Sequence, residues 1–397
     1  MNFLKNLDVL IVSTAFGENT AAYRRLSYFA RYLRSKGLRV SCIGFIGISS
    51  FGIIKPSREC YSVPFFISTY HILGLILNAF LSLLVATMIL ILRPKIVILS
   101  VPEVHPVIAT YLGCVLTKSK LIIDIRDPEE VIIIHKYRQG FSGLIARIFK
   151  EVHYSIYRRA SAITGVTRTL VSTLANMIRR TVHLVPNGAD LEIFKPIDKV
   201  KARGILGLDQ DYFLIVYIGS LTTRGYYDVL PVLKAIRKVR ERTKINTKLV
   251  VAGPIFYDSE KIVEEFRDVL CYMGILDVKD IITLLSACDV GIVPRIKDPI
   301  YNYSIPIKFY EYVATGLPVI AVANKESELA KIVEENKLGF ICEPEDKVCL
   351  ENTIIALATD NSLLNELKKN VLAFRRLIDR RIGAEGLYRL IKELLQE

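Results

Sequence analysis

Short β-branched runs alternate along the chain with longer stretches whose apolar positions recur at helical spacing. Val9–Ser13 and Leu38–Phe45 read as strands, separated by a helical Ala21–Lys36 that Gly37 closes. Strands are predicted at Lys95–Val101, Lys120–Ile125, Ala162–Val166 and Thr181–Val185, with helical patterns between them, notably Pro106–Lys118 and Phe141–Ala160. The alternation restarts after Asp190, with strands at Phe213–Gly219, Lys248–Gly253, Val290–Pro294 and Val319–Ala323. Apolar strands interleaved with helices indicate parallel sheets covered on both faces. The pattern therefore predicts an α/β chain of two doubly wound, Rossmann-like domains facing each other across a cleft and joined near residues 186–212. The bounds are 1–190 for the first domain and 191–375 for the second. A tail at 376–397, the end of a helical pattern over Leu363–Leu395, is expected to pack back towards the first.

One stretch departs from this pattern. Ile72–Leu92 is 21 residues without a charge, between His71 and Arg93-Pro94. It has the length of a membrane span, yet a span would part the first strands from the rest of their sheet. A buried core helix and a helix partly sunk into one leaflet are the other two readings, the latter favoured by the basic helix YRRLSYFARYLRSKGLR nearby.

Composition sharpens the picture in two places. With 51% hydrophobic and 23% charged residues over 397 positions, this is a folded chain long enough for two cores. Its net charge of +13 lies wholly in the first half, where 23 Lys/Arg face 10 Asp/Glu up to Asp190, against 30 of each beyond it. A basic surface there suits an anionic membrane or a polyphosphate; nucleic acid is not expected, because no RNA- or DNA-binding signature occurs. The seven cysteines are scattered and odd in number, with no CxxC, and read as reduced thiols of a cytosolic protein. MNFLKNLDVLIVS runs straight into a strand instead of a signal-peptide layout.

The candidate chemistry concentrates in YSIPIKFYEYVATGLPVIA, Tyr303–Ala321. Pro306 opens a helix, Gly316 ends it and Pro318 forbids continuation before a β-branched strand. Lys308 and Glu311 share one helical face. They read either as a surface ion pair or as a phosphate-neutralising cation beside a carboxylate that accepts both ribose hydroxyls.

PIKFYEYVATGLPVIA resembles the donor-site signature of the retaining glycosyltransferases of family four (glycosyl transferases group 1), which have the GT-B fold. VPNGADLEIFKP (Val185–Pro196) resembles that family's interdomain segment, and YIGSLTTRG (Tyr217–Gly225) its phosphate-binding strand and loop. SACDVGIVPR (Ser286–Arg295) resembles the stretch leading to the nucleobase pocket. The resemblance implies that Gly219, Ser220, Arg224 and Lys308 surround a donor diphosphate, that Glu311 binds the ribose, and that Pro294 and Arg295 flank the base. Arg224 and Lys308 are the expected catalytic cations, so neither metal nor cofactor is expected. The one D-x-D, Asp209–Asp211, falls in a linker. Gly17, in the loop after the first strand, is placed near the donor phosphates by position alone, without the family's Gly-Gly pair. Where the family commonly has a second glutamate, this chain has Tyr303.

LIIDIRDPEE (Leu121–Glu130) resembles the branch with a D-x-R-D strand end, which acts on lipid-linked acceptors in surface-polysaccharide synthesis. Asp127 is then the candidate for orienting or deprotonating the acceptor hydroxyl, or else a turn or N-cap residue. The expected activity is transfer of a hexose, with retention, from a nucleotide diphospho-sugar to a lipid-linked saccharide or glycolipid. The protein is expected in the cytoplasm, peripherally on the inner face of the cell membrane. A soluble-acceptor transferase and a non-catalytic GT-B scaffold that binds nucleotide-sugar are the alternatives. No G-x-G-x-x-G follows the first strand, which disfavours a dinucleotide oxidoreductase.

Overall fold

The computed structural model describes residues 7–13, 21–49, 52–54, 60–66, 72–101, 106–127, 140–222, 227–256 and 259–396. The chain forms two units: residues 1–187 with 380–397, and residues 188–379.

Unit 1 contains β1 (Val9–Val12), α1 (Ala21–Ser35), β2 (Val40–Ser49), β3 (Gly52–Ile54), β4 (Cys60–Phe66), α2 (Ile72–Leu92) and β5 (Ile96–Val101). It continues through α3 (Pro106–Thr117), β6 (Lys120–Ile125), α4 (Gly140–Arg159), β7 (Ala162–Gly165), α5 (Arg168–Ile178) and β8 (His183–Leu184). The strand order is β3-β2-β1-β5-β6-β7-β8, with β4 also beside β2; every pairing is parallel except β2–β3. Val9 and Ile11 of β1, with Ile96, Ile98 and Ile122 of its neighbours, pack on α1 and the C-terminal helix. The alternate positions, Leu10, Val12, Val97, Leu99 and Ile123, are equally buried, as expected of strands covered on both faces.

A buried ion pair ties this sheet together. Arg25 of α1, fully buried, donates to Asp124 of β6 at 2.9 and 3.3 Å and to the carbonyls of Val185 and Pro186 at 2.8 and 3.0 Å. Thr164 and Ser100 donate to the same carboxylate at 2.8 and 3.3 Å. Burial alone would raise the Asp124 pKa, but the guanidinium and hydroxyl contacts hold it below the usual carboxylate range. Asp124, the first residue of the D-x-R-D strand end, is thus a packing residue.

Unit 2 contains α6 (Lys199–Leu206), β9 (Phe213–Ile218), α7 (Leu230–Thr243), β10 (Thr247–Ala252), α8 (Glu260–Glu265), β11 (Leu270–Tyr272), α9 (Val278–Ala287) and β12 (Val290–Pro294). A 3-10 segment (Pro299–Tyr303) then leads to α10 (Ile307–Ala314), β13 (Val319–Val322), α11 (Glu328–Glu335), β14 (Gly339–Cys342), α12 (Lys347–Thr359) and α13 (Asn361–Phe374). Its six parallel strands run β11-β10-β9-β12-β13-β14, so chain order reverses direction between β9 and β12.

The tail departs from the single helical pattern expected. A 3-10 turn at Arg375–Ile378 interrupts it, and the last helix, α14 (Arg380–Gln396), belongs to unit 1, against α1. The break is fixed by contacts that periodicity cannot register. Arg375 donates to the carbonyls of Ala314, Leu191 and Phe194 at 2.7, 3.2 and 3.1 Å, and Ala189 N–H donates to Ile378 O at 2.9 Å.

The cysteine reading also requires correction. Cys42–Cys60 and Cys342–Cys349 are disulfide-bonded, while Cys114, Cys271 and Cys288 are free. Residues 42 and 60 are register partners on β2 and β4, and Cys349 lies in the first turn of the helix that returns over Cys342. Strand pairing, which spacing does not reveal, brings them together. The inference of a reducing compartment from the cysteines therefore lapses.

Ile72–Leu92 is a crossover helix. The strands before and after it share one sheet, with β1 hydrogen-bonded to both β2 and β5, so a membrane span at this point would break paired strands. Among the described residues no helix is long and apolar enough to cross a membrane.

Replacing Arg25 by Met leaves Asp124 buried without its cation. Urea denaturation should show a loss of about 3–5 kcal/mol in stability; a loss below about 1 kcal/mol, the range of exposed pairs, would contradict this account.

Candidate functional site

The reversal between β9 and β12 is where an open α/β sheet leaves a crevice at the carboxyl ends of its strands. These two strands pair only at Val290↔Ile215 and Gly291↔Val216, then diverge. Tyr312 of α10 occupies the gap. Its hydroxyl accepts from Ile218 N–H at 3.1 Å and donates to Ile292 O at 3.3 Å, bridging the two separated backbones. Its ring lies over Gly291, where an added Cβ would fall 2.3 Å from Tyr312 Cδ2. Only glycine fits there.

Pro306 caps α10 in an extended conformation, and Gly316 at φ +80° follows its end, so the helix is confined to Ile307–Ala314. One turn into it stand Lys308 and Glu311, both buried. That removes the surface ion-pair reading. Lys308 Nζ lies 3.5 Å from the Tyr227 ring centroid and 4.1 Å from that of Tyr217. Burial, and then the nearby Arg295 cation, push the lysine pKa well below its ordinary value, while Glu311 opposes them. The two ring faces also favour the charged form. Burial raises the Tyr217 and Tyr312 phenol pKa values, so both hydroxyls are neutral donors.

Gly219 follows β9 at φ +153°, a conformation few other residues adopt. A Cβ there would lie 2.7 Å from Tyr217 Oη and 2.9 Å from Lys308 Nζ. The backbone thus passes directly beneath the lysine. Ser220 follows, its carbonyl accepting from Tyr217 Oη at 3.3 Å, and the Leu221 N–H is held by Pro254 O at 2.9 Å. The structure brings Gly219 and Lys308 together, with Glu311 on the same helix as Lys308.

Pro294 ends β12 and Arg295 follows it. Arg295 is buried and acts as a strut: it donates to Tyr301 O, to Ser304 O at 2.9 Å and to Ser304 Oγ at 3.0 Å, folding the 3-10 segment that contains Tyr303 over the end of the strand. Asp228 N–H donates to Pro294 O at 2.9 Å, and Tyr227 bridges to Arg295, fixing the far end of the loop after β9. Asp127, part-buried, lies just beyond the carboxyl end of β6 in unit 1. Gly17 and Arg224 fall outside the described residues. Tyr217, Tyr227 and Tyr312 were not singled out in the sequence, because an aromatic residue in an apolar run gives no sign of whether it packs in a core or lines a crevice.

Residues 198–373, most of unit 2, match the family model of the Glycosyl transferases group 1. Over most of its length unit 2 is thus similar to that family's domain. Over 129 residues the chain is 30% identical to the "Probable glycosyltransferase WbjE" of Pseudomonas aeruginosa, which is 32% of each chain. The curated relatives it matches are each spanned over less than half of their length. Sucrose-phosphate synthase from Thermosynechococcus elongatus has the same fold, with a TM-score of 0.73 at 16% identity over 98% of this chain and 99% of its own. HepE of Anabaena, solved in complex with UDP, superposes with a TM-score of 0.71 at 15% identity over 97% of this chain and 100% of its own. The architecture is GT-B: two Rossmann-like domains with parallel sheets.

Two outcomes follow from the geometry. Gly219→Ala should abolish the binding of an anionic ligand beside Lys308 in calorimetry, since its Cβ would displace the lysine; binding within about threefold of wild type would contradict this. An anionic ligand at Lys308 favours the ammonium, whose pKa is depressed in the free protein, so binding should take up a proton. Affinity should then weaken as pH rises from the free-state pKa of the lysine towards the bound-state value. Calorimetry at one pH in buffers of different ionisation enthalpy reads the uptake directly, and identical heats in all of them would refute it.

Proposed function

We propose that the protein transfers a hexose from a nucleotide diphospho-sugar to an acceptor hydroxyl, with retention and without a metal ion. The observation that carries the reading is the burial of a lysine and a glutamate one helical turn apart at the β9/β12 reversal, in a domain matched by the group 1 family model. The Gly219–Ser220 backbone and Lys308 hold the diphosphate, and Arg224 is the proposed second cation. Glu311 accepts the ribose hydroxyls, and Pro294 and Arg295 flank the base. Arg295 acts there through the 3-10 segment it braces. As the bond between the anomeric carbon and the diphosphate breaks, negative charge grows on the leaving oxygen. Lys308, which is buried, and Arg224 stabilise it; fixed charge acts most strongly where it is shielded from water. The acceptor oxygen bonds the anomeric carbon, its proton leaves to a base, and the nucleoside diphosphate departs. Asp127, at the carboxyl end of β6, is the proposed group that orients or deprotonates the acceptor.

The acceptor is a lipid-linked saccharide or glycolipid of cell-surface polysaccharide synthesis, reached from the cytoplasmic side by a peripheral contact of the basic unit 1. Its support is the excess of 13 positive charges in the first 190 residues and the D-x-R-D strand end.

A thermal-shift panel of UDP-, GDP-, ADP- and dTDP-sugars tests the donor site, because a ligand that binds only the folded state raises Tm by mass action. One nucleotide class should stabilise the wild type and fail to stabilise Glu311→Ala, whose own Tm should change far less than its affinity. Equal loss of stability and binding would sink the ribose role. Stabilisation without turnover on any acceptor would favour a non-catalytic scaffold, for which Tyr303 in place of a glutamate is the motivating feature.

A further inference from the structure

Unit 1 carries an apolar surface that its own packing does not use. Phe80, Leu83, Leu84, Leu90 and Ile91 are exposed on α2, on the side opposite buried Val85 and Ile89. Beside them on α3, Ile108, Leu112, Val115 and Leu116 form a second exposed stripe, and Leu144, Ile148 and Val152 a third on α4. The three helices are consecutive neighbours on one side of the sheet, α2 against α3 and α3 against α4. Neither α2 nor α3 contains a charged residue. No described element covers these stripes.

The edge of the face is basic. Arg93 follows α2, Lys118 follows α3, and Arg147, Arg158 and Arg159 are exposed on α4, where Glu151 is the one acid. All but Arg147 lie at the ends of the helices that lead into β5, β6 and β7. The three stripes therefore share one basic rim.

We propose that this α2–α3–α4 face docks on an anionic lipid leaflet, with its aliphatic stripes among the acyl chains and its basic rim at the headgroup phosphates. The inference gives the peripheral contact of the proposed transferase its surface, and for its biological use it rests on that reading. Three features select lipid over protein. The stripes are mainly aliphatic and carry no Tyr or Trp, and Thr87, exposed among them on α2, turns its hydroxyl back onto Leu83 O at 3.1 Å, unlike the polar and Tyr/Trp-rich core of a protein interface. The apolar area is flanked by cations, the composition of an in-plane interfacial surface. Self-association would bury the stripes but supply no anionic partner for the flanking cations, which an anionic leaflet supplies.

The test is flotation of the full-length protein with vesicles of phosphatidylcholine, with and without phosphatidylglycerol. The wild type should float with the anionic vesicles, less so at high salt. The triple variant Phe80→Glu, Ile91→Glu, Leu116→Glu changes only exposed positions and should partition at least about a hundredfold less. Arg147→Gln with Arg158→Gln should lose the preference for anionic lipid while keeping residual binding. The nucleotide-sugar thermal shift should survive in both variants. Failure of the wild type to float, with that shift intact, overturns the docking face alone. Flotation without any nucleotide-sugar shift sustains the face and removes the transferase reading. Equal flotation of wild type and triple variant overturns the face, as does a wild-type dimer in light scattering that the triple variant abolishes without any lipid binding.

Discussion

The separation of β9 from β12 at their carboxyl ends is the constraint on which the site of unit 2 depends. Two parallel strands that diverge leave backbone groups without ladder partners, and buried orphans of that kind are costly. Here a single phenol satisfies one amide and one carbonyl across the gap. Because Tyr312 belongs to α10, the same interaction sets that helix against the sheet and so fixes where Lys308 and Glu311 stand. Gly291 beneath the ring and Gly219 beneath the lysine are small for the same reason: each lies where another residue's side chain must pass.

Lys308 is correspondingly a strained group. It is buried next to another cation, with two aromatic faces and one carboxylate as compensation. An environment that disfavours its charged form in the free protein makes an incoming polyanion a partner in which binding and protonation reinforce each other. Arg295 contributes twice, as the strut of the 3-10 segment and as part of the electrostatic pressure on the lysine. The two units manage buried charge differently. In unit 1, Arg25 and Asp124 are fully paired, with two hydroxyls and two carbonyls completing their hydrogen bonds, and they serve the packing of α1 on the sheet.

The alternating pattern along the chain was enough to locate most strands within a residue or two. Val290–Pro294 and Lys120–Ile125 coincide with β12 and β6. The reason is that a strand buried on both faces must be continuously apolar and β-branched, a local property. The helix limits set by Pro306 and Gly316 were legible on the same grounds, since cap chemistry is local too. Edge elements such as β3, β4 and β11 were not, because an edge strand need not be apolar throughout and carries a weak signal.

The sequence by itself determined the two-domain α/β class, the basic excess of the first half, and the pairing of Lys308 with Glu311 on one helical face. Whether that pair was a solvated ion bridge or a buried site was beyond it, since helical spacing is the same in both cases. Tertiary structure decided this by bringing Gly219 and the rings of Tyr217 and Tyr227 against the lysine. It likewise decided that Cys42 meets Cys60, that Asp124 serves Arg25, and that a 3-10 turn at Arg375–Ile378 breaks the tail before its last helix. Each of these joins residues distant in sequence through strand register or helix docking, which appear only when the chain has folded.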